Sequence, residues 1–180
     1  MFLHACCGPC ASEVAPYFAQ QGHKITLFYF NPNIQPLAEF EKRRQGLMFF
    51  AQEKNFPLLI SKDYKPLDFL EKTLPIKENR CSYCYALRLE KTGRKAKELG
   101  FQSFSTTLLV SPYQEYEKIR EIGSQIAQKL DLEFLAPDLS HLYRQTIENA
   151  QKLNLYRQNY CGCLISEFAR FRDLERGELE

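Results

Sequence analysis

Seven cysteines occupy only three short segments of this 180-residue chain. The segments read CCGPC, CSYC and CGC, and they supply Cys6, Cys7, Cys10, Cys81, Cys84, Cys161 and Cys163. Cysteine pairs at such spacing are typical metal ligands, because one turn of chain brings both sulfurs to about 4 Å, the edge of a tetrahedral site. The clustering therefore predicts a metal site, and a fold that brings three distant segments together.

Four interpretations of the cysteines compete. A disulfide framework does not fit the odd count or a reducing compartment, and a redox CxxC explains one segment while leaving two unexplained. A structural zinc site would use the four cysteines of the second and third segments and leave the first segment idle. An iron–sulfur cluster would be assembled from distant segments, because the ferredoxin spacing is absent. Seven thiols exceed the four that a cubane cluster needs, which favours a second metal or thiols that do chemistry.

Five apolar runs predict β-strands, and amphipathic stretches between them predict helices. The strand candidates are FLHAC, KITLFYF, FPLLIS, SFSTTLLV and LEFLAP. The helix candidates are residues 12–21, 37–54, 82–99, 113–130 and 143–155. This alternation predicts an α/β fold with a doubly wound, mainly parallel five-stranded sheet, and with cysteine-rich helical segments over the carboxyl ends of the strands. We expect one domain over residues 1–180, with an irregular excursion at 62–81 and a peripheral charged tail at 171–180.

Polar residues follow the predicted strands at their carboxyl ends, where ligands bind in such sheets. The first cysteines follow strand one, Tyr113 follows strand four and Asp138 follows strand five. We expect Asp138 to be a catalytic proton donor or a metal ligand, with a turn cap as the alternative. Tyr113 is a candidate proton donor, or a ring on which a base stacks. His4 lies on an apolar strand, so we expect it to be a buried core histidine.

Charge and hydropathy indicate the cellular compartment of the chain and the partners that it can bind. No apolar run approaches the roughly 18 residues of a membrane span, and the N-terminus lacks the basic lead of a signal peptide, so we expect a cytoplasmic protein without a membrane partner. The net charge of +2 leaves nucleic-acid binding open. Five cations could bind phosphate, and one tyrosine ring could stack on a base. These candidate RNA-binding residues are Arg80, Arg88, Lys91, Arg144, Arg157 and Tyr85. The alternative for the basic residues near the second cysteine segment is a solvated helix face.

Five motifs follow one another along nearly the whole chain: HACCGPC, NPNIQP, NRCSYCYALRLEKT, TTLLVSPYQ and LYRQNYCGC. Together and in this order they resemble the QueH family of epoxyqueuosine reductases. The resemblance implies a Rossmann-like sheet related to the adenine-nucleotide α-hydrolases. It also implies a [4Fe–4S] cluster and an additional mononuclear iron, both held by the clustered cysteines. The implied reaction removes the epoxide oxygen from epoxyqueuosine in the anticodon of tRNA and gives queuosine.

Reduction of an epoxide to an alkene takes two electrons, so an external donor such as flavodoxin or ferredoxin is expected. An iron with an open position would polarise the epoxide oxygen as a Lewis acid. Our hypothesis places the cluster on the second and third cysteine segments, or on a subset of them, with help from Cys7. The first segment would hold the second iron or complete the cluster. We expect the enzyme to act as a monomer on the anticodon loop.

Three other functions remain as alternatives. An ATP-dependent tRNA thiolation enzyme shares the sheet, but its phosphate loop after strand one typically reads SGGxDS, whereas this chain has CCGPC there. A zinc-stapled RNA-binding module predicts zinc, no colour and no need for Cys6 or Cys7. A general thiol oxidoreductase predicts redox cycling of one CxxC without metal.

Overall fold

The computed structural model describes residues 1–76 and 78–172. Its strands are β1 Phe2–His4, β2 Thr26–Tyr29, β3 Leu58–Ile60, β4 Ser103–Thr106 and β5 Glu133–Phe134. They form one five-stranded sheet in the order β3-β2-β1-β4-β5, and every neighbouring pair is parallel. The predicted α/β fold with a parallel five-stranded sheet is therefore confirmed.

The α-helices of the described residues follow the predicted alternation with the strands. They are α1 Gly8–Gln20, α2 Leu37–Glu53, α3 Pro66–Thr73, α4 Arg80–Glu98, α5 Tyr116–Leu130, α6 Tyr143–Lys152 and α7 Leu164–Phe171. Helix α1 begins earlier than predicted, because Pro9 has no N–H to lose and suits the first turn of a helix. Within the described residues no helix is both long enough and apolar enough to cross a bilayer.

Three segments differ from the sequence-based expectation. Residues Thr107–Val110 form a 3-10 helix instead of extending β4, because the Thr106 hydroxyl accepts the N–H of Leu108 at 3.2 Å and turns the chain. The stretch expected to be irregular contains α3, and α7 follows the third cysteine segment, where no helix was predicted. Each is eight residues long, which gives too few turns for a clear periodicity. Residues 173–180 of the predicted tail lie outside the described residues.

The sheet changes its winding direction at β1. From β1 the chain places β2 and β3 on one side and β4 and β5 on the other. The loops after β1 and β4 therefore diverge and leave a crevice at the carboxyl ends of these strands. In the core of the sheet, Phe2 of β1 and Phe28 of β2 are buried and stack with ring centroids 5.1 Å apart. Burial of each ring contributes roughly 1.5–3 kcal/mol, so this pair stabilises the packing of β1 beside β2.

Two helices approach closely at Gly8, the first residue of α1, which lies between Cys7 and Cys10 of the CCGPC segment. A Cβ atom on Gly8 would lie 2.7 Å from the carbonyl oxygen of Gly46 in α2. We expect Gly8→Ala to lower the free energy of unfolding by about 1–3 kcal/mol in urea titrations, because the helices must move apart. Gly46→Ala is the matched control, since a Cβ there meets nothing within 4 Å. Equal losses from both changes would contradict the close-approach explanation.

Candidate metal centre

All seven cysteines line one cavity of about 730 Å³. The first segment reaches it from the end of β1, the second from the first turns of α4, and the third from the loop before α7. Thr107, which follows β4, lines the same cavity, so the cavity lies in the crevice where the sheet changes direction. The fold thus brings together the three segments, as their spacing predicted.

The start of α1 positions the first cysteine segment. Its three sulfurs lie within 4.8 Å of one another, and those of Cys6 and Cys7 are 3.7 Å apart. Cys7 is the N-cap of α1 and Cys10 lies in its first turn, where the free backbone N–H groups favour thiolates. Thr107 holds Cys6 from the opposite side: its hydroxyl oxygen accepts the Cys6 N–H at 3.1 Å and lies 3.3 Å from the Cys6 sulfur.

The sulfurs of the first segment are electrostatically linked. Hydrogen bonds from Cys10 and Cys7 lower the pKa of Cys6 well below its usual value. The contacts with Cys6 and Cys7 raise the pKa of Cys10 well above its usual value, and burial adds to that rise. Of these two thiols, Cys6 is therefore the one that ionises more readily. A bound metal cation would favour the thiolate form of all three, because metal binding displaces thiol protons.

The second segment lies at the beginning of α4. Cys81 and Cys84 are three residues apart, so their side chains share one helix face. Cys84 packs in a small apolar cluster with Phe69 of α3 and Cys163, and burial raises the pKa of Cys84 to about 11. The unpredicted helix α3 thus helps to bury Cys84.

The third segment forms a tight turn before α7. The Cys161 and Cys163 sulfurs are 3.7 Å apart. Gly162 between them has φ +108°, and a Cβ there would lie 2.9 Å from the Arg43 guanidinium, so only glycine fits. Hydrogen bonding from Cys163 lowers the pKa of Cys161 to about 5 against the effect of burial, with help from Ser166, whose Oγ lies 3.1 Å from the Cys161 sulfur. The turn therefore presents one sulfur that ionises readily.

A buried ion pair of α2 clamps this turn. Arg43 donates from Nη1 to the carbonyl of Cys161 at 2.9 Å and from Nη2 to that of Tyr160 at 3.2 Å. Its Nε donates to Glu39 at 2.6 Å, and both side chains are nearly inaccessible to water. The Glu39 carboxylate also accepts the hydroxyl of Tyr156. The backbone of the third segment is therefore positioned by Arg43, which Glu39 holds in place.

The NPNIQP motif supplies a second clamp on the same turn. The Gln35 backbone N–H donates to the carbonyl of Gly162 at 2.9 Å, and its side-chain Oε1 accepts the N–H of Leu164 at 3.2 Å. Sequence reasoning missed both clamps. The motif was the available signal for Gln35, whereas Glu39 and Arg43 have the i, i+4 spacing of ordinary surface pairs.

Asp138 and Tyr113 occupy different surroundings. Asp138 is exposed, its carboxylate accepts the N–H of Ser140 at 2.9 Å, and it is not among the described residues that line the cavity. Asp138 therefore has the geometry of a turn cap, which was the alternative to a catalytic role. Tyr113 lines the cavity mouth and is 79% exposed, and its ring meets that of Tyr143 edge-on with centroids 5.7 Å apart. The two rings form a corner that sequence reasoning did not anticipate.

His4 is the buried core histidine that was expected. Its Nδ1 lies 2.9 Å from the Thr106 hydroxyl and its Nε2 lies 3.2 Å from the carbonyl oxygen of Phe30. Burial is the main reason that its pKa falls to about 4. The ring therefore stays neutral and links β1 to β4 and to the residue that follows β2.

The candidate RNA-binding residues divide into three groups. Arg80 and Arg157 line the cavity, and Arg157 is exposed. Lys91 and Arg144 are paired on the surface, with Asp63 at 3.0 Å and Glu148 at 3.5 Å respectively. Arg88 and Tyr85 are buried in the cavity wall, at 4% and 2% exposure. The alternative prediction of a solvated helix face is therefore wrong for Arg88, because its side chain is buried in the cavity wall.

Comparisons with known proteins identify one family. The family model described as Epoxyqueuosine reductase QueH matches residues 1–169. Curated relatives with that name come from Dehalococcoides mccartyi, 30% identical over 95% of this chain and 94% of the relative, and from Thermotoga maritima, 32% identical over 94% and 91%. A third, from Helicobacter pylori, is 36% identical over 91% of this chain and 48% of its own length.

Proposed function

The chain belongs to the epoxyqueuosine reductase QueH family, and we propose that it reduces the epoxide of epoxyqueuosine in tRNA through an iron–thiolate centre in the cysteine cavity. The observation that carries this proposal is the convergence of all seven cysteines on one cavity. A reductase of this kind needs both a path for electrons and a place for the epoxide. One cavity lined by thiols and open at an aromatic mouth provides for both.

The donor set of the cavity fits an iron–sulfur centre. Thiolates are soft ligands that suit iron–sulfur clusters and zinc, and a tetrahedral zinc site would use at most four of the seven. In the proposal the second and third segments hold a [4Fe–4S] cluster, and the first segment holds a single iron or completes the cluster. When bound, such a centre supplies single electrons and a Lewis acid for the epoxide oxygen.

The reaction balances as a two-electron reduction. Both C–O bonds of the epoxide break, a C=C bond forms between the two carbons, and the oxygen leaves as water after taking up two protons. The two electrons come from an external low-potential carrier of the flavodoxin or ferredoxin class. Because thiols must stay reduced for this chemistry, we place the reaction in the cytoplasm. Asp138 is exposed outside the cavity lining, so we assign it no proton transfer.

The cavity mouth has the features of a site for an unpaired, splayed base. The right-angled corner of Tyr113 and Tyr143 offers one ring face for stacking and one ring edge beside it. Arg157 lies at the same mouth and can meet a phosphate. These residues bind and orient the nucleotide, while the buried walls exclude water from the thiols.

Removal of the Tyr113 ring tests this stacking role. We expect Tyr113→Ala to raise KM for tRNA about tenfold with little loss of stability, because base–aromatic stacking contributes about 1–3 kcal/mol and the side chain is 79% exposed. Tyr113→Phe keeps the ring and should retain the wild-type KM. If the Phe variant is impaired as severely as the Ala variant, the hydroxyl and not the ring is what matters, and the stacking assignment is wrong.

The direct test of the proposed function is turnover. The anaerobically purified protein is incubated with tRNA carrying epoxyqueuosine and with reduced flavodoxin, and the nucleosides are then analysed by mass spectrometry. We expect conversion to a product that has lost one oxygen atom. Unchanged epoxyqueuosine with protein that holds iron and sulfide would contradict the proposal.

A further inference from the structure

Arg88 is a buried arginine that forms no ion pair with a carboxylate among the described residues. It is 4% exposed and lines the cavity wall. Its Nε donates to the carbonyl of Cys84, one turn earlier on α4, at 3.2 Å, and its guanidinium carbon lies 6.0 Å from the centre of the Tyr85 ring. No ion pair joins it to an acidic residue in the described part of the chain. The other buried arginine of the cavity, Arg43, does have such a partner in Glu39.

A buried charge without a counter-charge is costly, and arginine cannot avoid the cost by losing its proton. Cysteines of all three segments line the same cavity as Arg88. The hydrogen bond to the Cys84 carbonyl holds the guanidinium beside the second segment. Thiolates in this cavity would therefore supply the negative charge that balances Arg88.

We propose that Arg88 is the fixed counter-cation of the metal–thiolate centre, and that it raises the reduction potential of that centre. This inference rests on the proposed function, since it requires a redox centre in the cavity. An added electron increases the negative charge on the sulfur ligands, and a buried cation stabilises that charge more than water-exposed groups do. Arg88 acts through the centre and not on the substrate, so it is a positioning residue.

The same geometry removes Arg88 from the RNA contacts that its sequence position suggested. A side chain that is 4% exposed in the cavity wall does not reach phosphates on a bound tRNA. The salt dependence of tRNA binding should therefore be the same in wild type and Arg88→Gln, whereas loss of a phosphate contact reduces the slope.

The test compares three variants in anaerobic redox titrations followed by electron paramagnetic resonance. Arg88→Gln removes the charge, Arg88→Lys retains it, and Arg94→Gln makes the same neutral change at an exposed residue of the same helix, paired with Glu90. At the potential where half of the wild-type centre is reduced, we expect the ratio of reduced to oxidised centre to fall about tenfold in Arg88→Gln, a shift of about 59 mV to lower potential. Arg88→Lys and Arg94→Gln should stay close to wild type.

The outcomes separate this inference from the function on which it rests. If Arg88→Gln keeps its metal and titrates like wild type, Arg88 does not tune the centre and the inference is overturned. If Arg88→Gln folds without metal while Arg88→Lys binds it normally, the charge is needed to hold the centre, which supports the inference. If both variants fold and both lose the metal, shape and not charge is responsible, and the inference is wrong. A wild-type protein without iron and sulfide would overturn the proposed function first.

Discussion

Cys84→Ala should reduce epoxyqueuosine turnover by more than about 100-fold, since changes to groups that merely orient metal ligands already cost about 10–100-fold. The Cys84 side chain is buried against Phe69 and Cys163, so neither water nor a flexible side chain can replace its sulfur. Its partner Cys81 shares the helix face and alone cannot complete the pair. Iron per chain should fall together with turnover, and both are measured on anaerobically purified protein.

Ser82→Ala is the control for the cysteine change. Ser82 lies between the two cysteines on α4 and is only half-buried, and it is not among the described residues that line the cavity. This variant should keep the iron content and the turnover of wild type. A Cys84→Ala protein that retains activity would contradict the assignment of the second segment to the metal centre.

Replacing Arg43 by Met should lower the free energy of unfolding by about 3–5 kcal/mol, because it leaves the buried carboxylate of Glu39 without its partner. The Arg43 and Glu39 side chains are 2% and 7% exposed and meet at 2.6 Å. The change also removes the two hydrogen bonds that clamp the turn of the third segment, so metal content should fall as well. Urea unfolding and iron analysis measure the two effects.

Arg44→Met is the matched control for that change. Arg44 is the next residue on α2 and pairs with Glu41 at 2.5 Å, but their side chains are 31% and 34% exposed. Such surface pairs contribute about 0–1 kcal/mol, so this variant should remain near wild type. If Arg43→Met were no more harmful than Arg44→Met, the buried clamp would have no special role.

The sheet was predictable because its signals are local. Apolar runs separated by amphipathic stretches locate strands and helices without any knowledge of their neighbours. The secondary structure was predicted wrongly where the local hydrophobic pattern does not decide the conformation. The run from Thr107 to Val110 is as apolar as a strand, but the Thr106 hydroxyl bends it into a 3-10 helix. The short helices α3 and α7 offer too few turns to be recognised, although both stand beside cysteines of the site.

The candidate metal ligands could be located from the sequence, whereas the residues that position them could not. Closely spaced cysteines predict a metal site from the sequence alone. The roles of Arg43 and Gln35 depend on contacts with residues more than a hundred positions away, which no local pattern records. Asp138 and Arg88 show the opposite case. Their positions near strand ends and cysteines suggested catalysis and RNA contact. The Asp138 carboxylate instead caps the Ser140 N–H, and the Arg88 side chain is buried in the cavity wall.

The most direct test of the iron–thiolate centre is the content of iron, zinc and acid-labile sulfide after anaerobic purification. One [4Fe–4S] cluster with one additional iron gives about five irons and about four sulfides per chain, in a brown protein. This is the result that we predict. One zinc per chain, with no sulfide and no colour, would contradict the account and leave the CCGPC cysteines without a role.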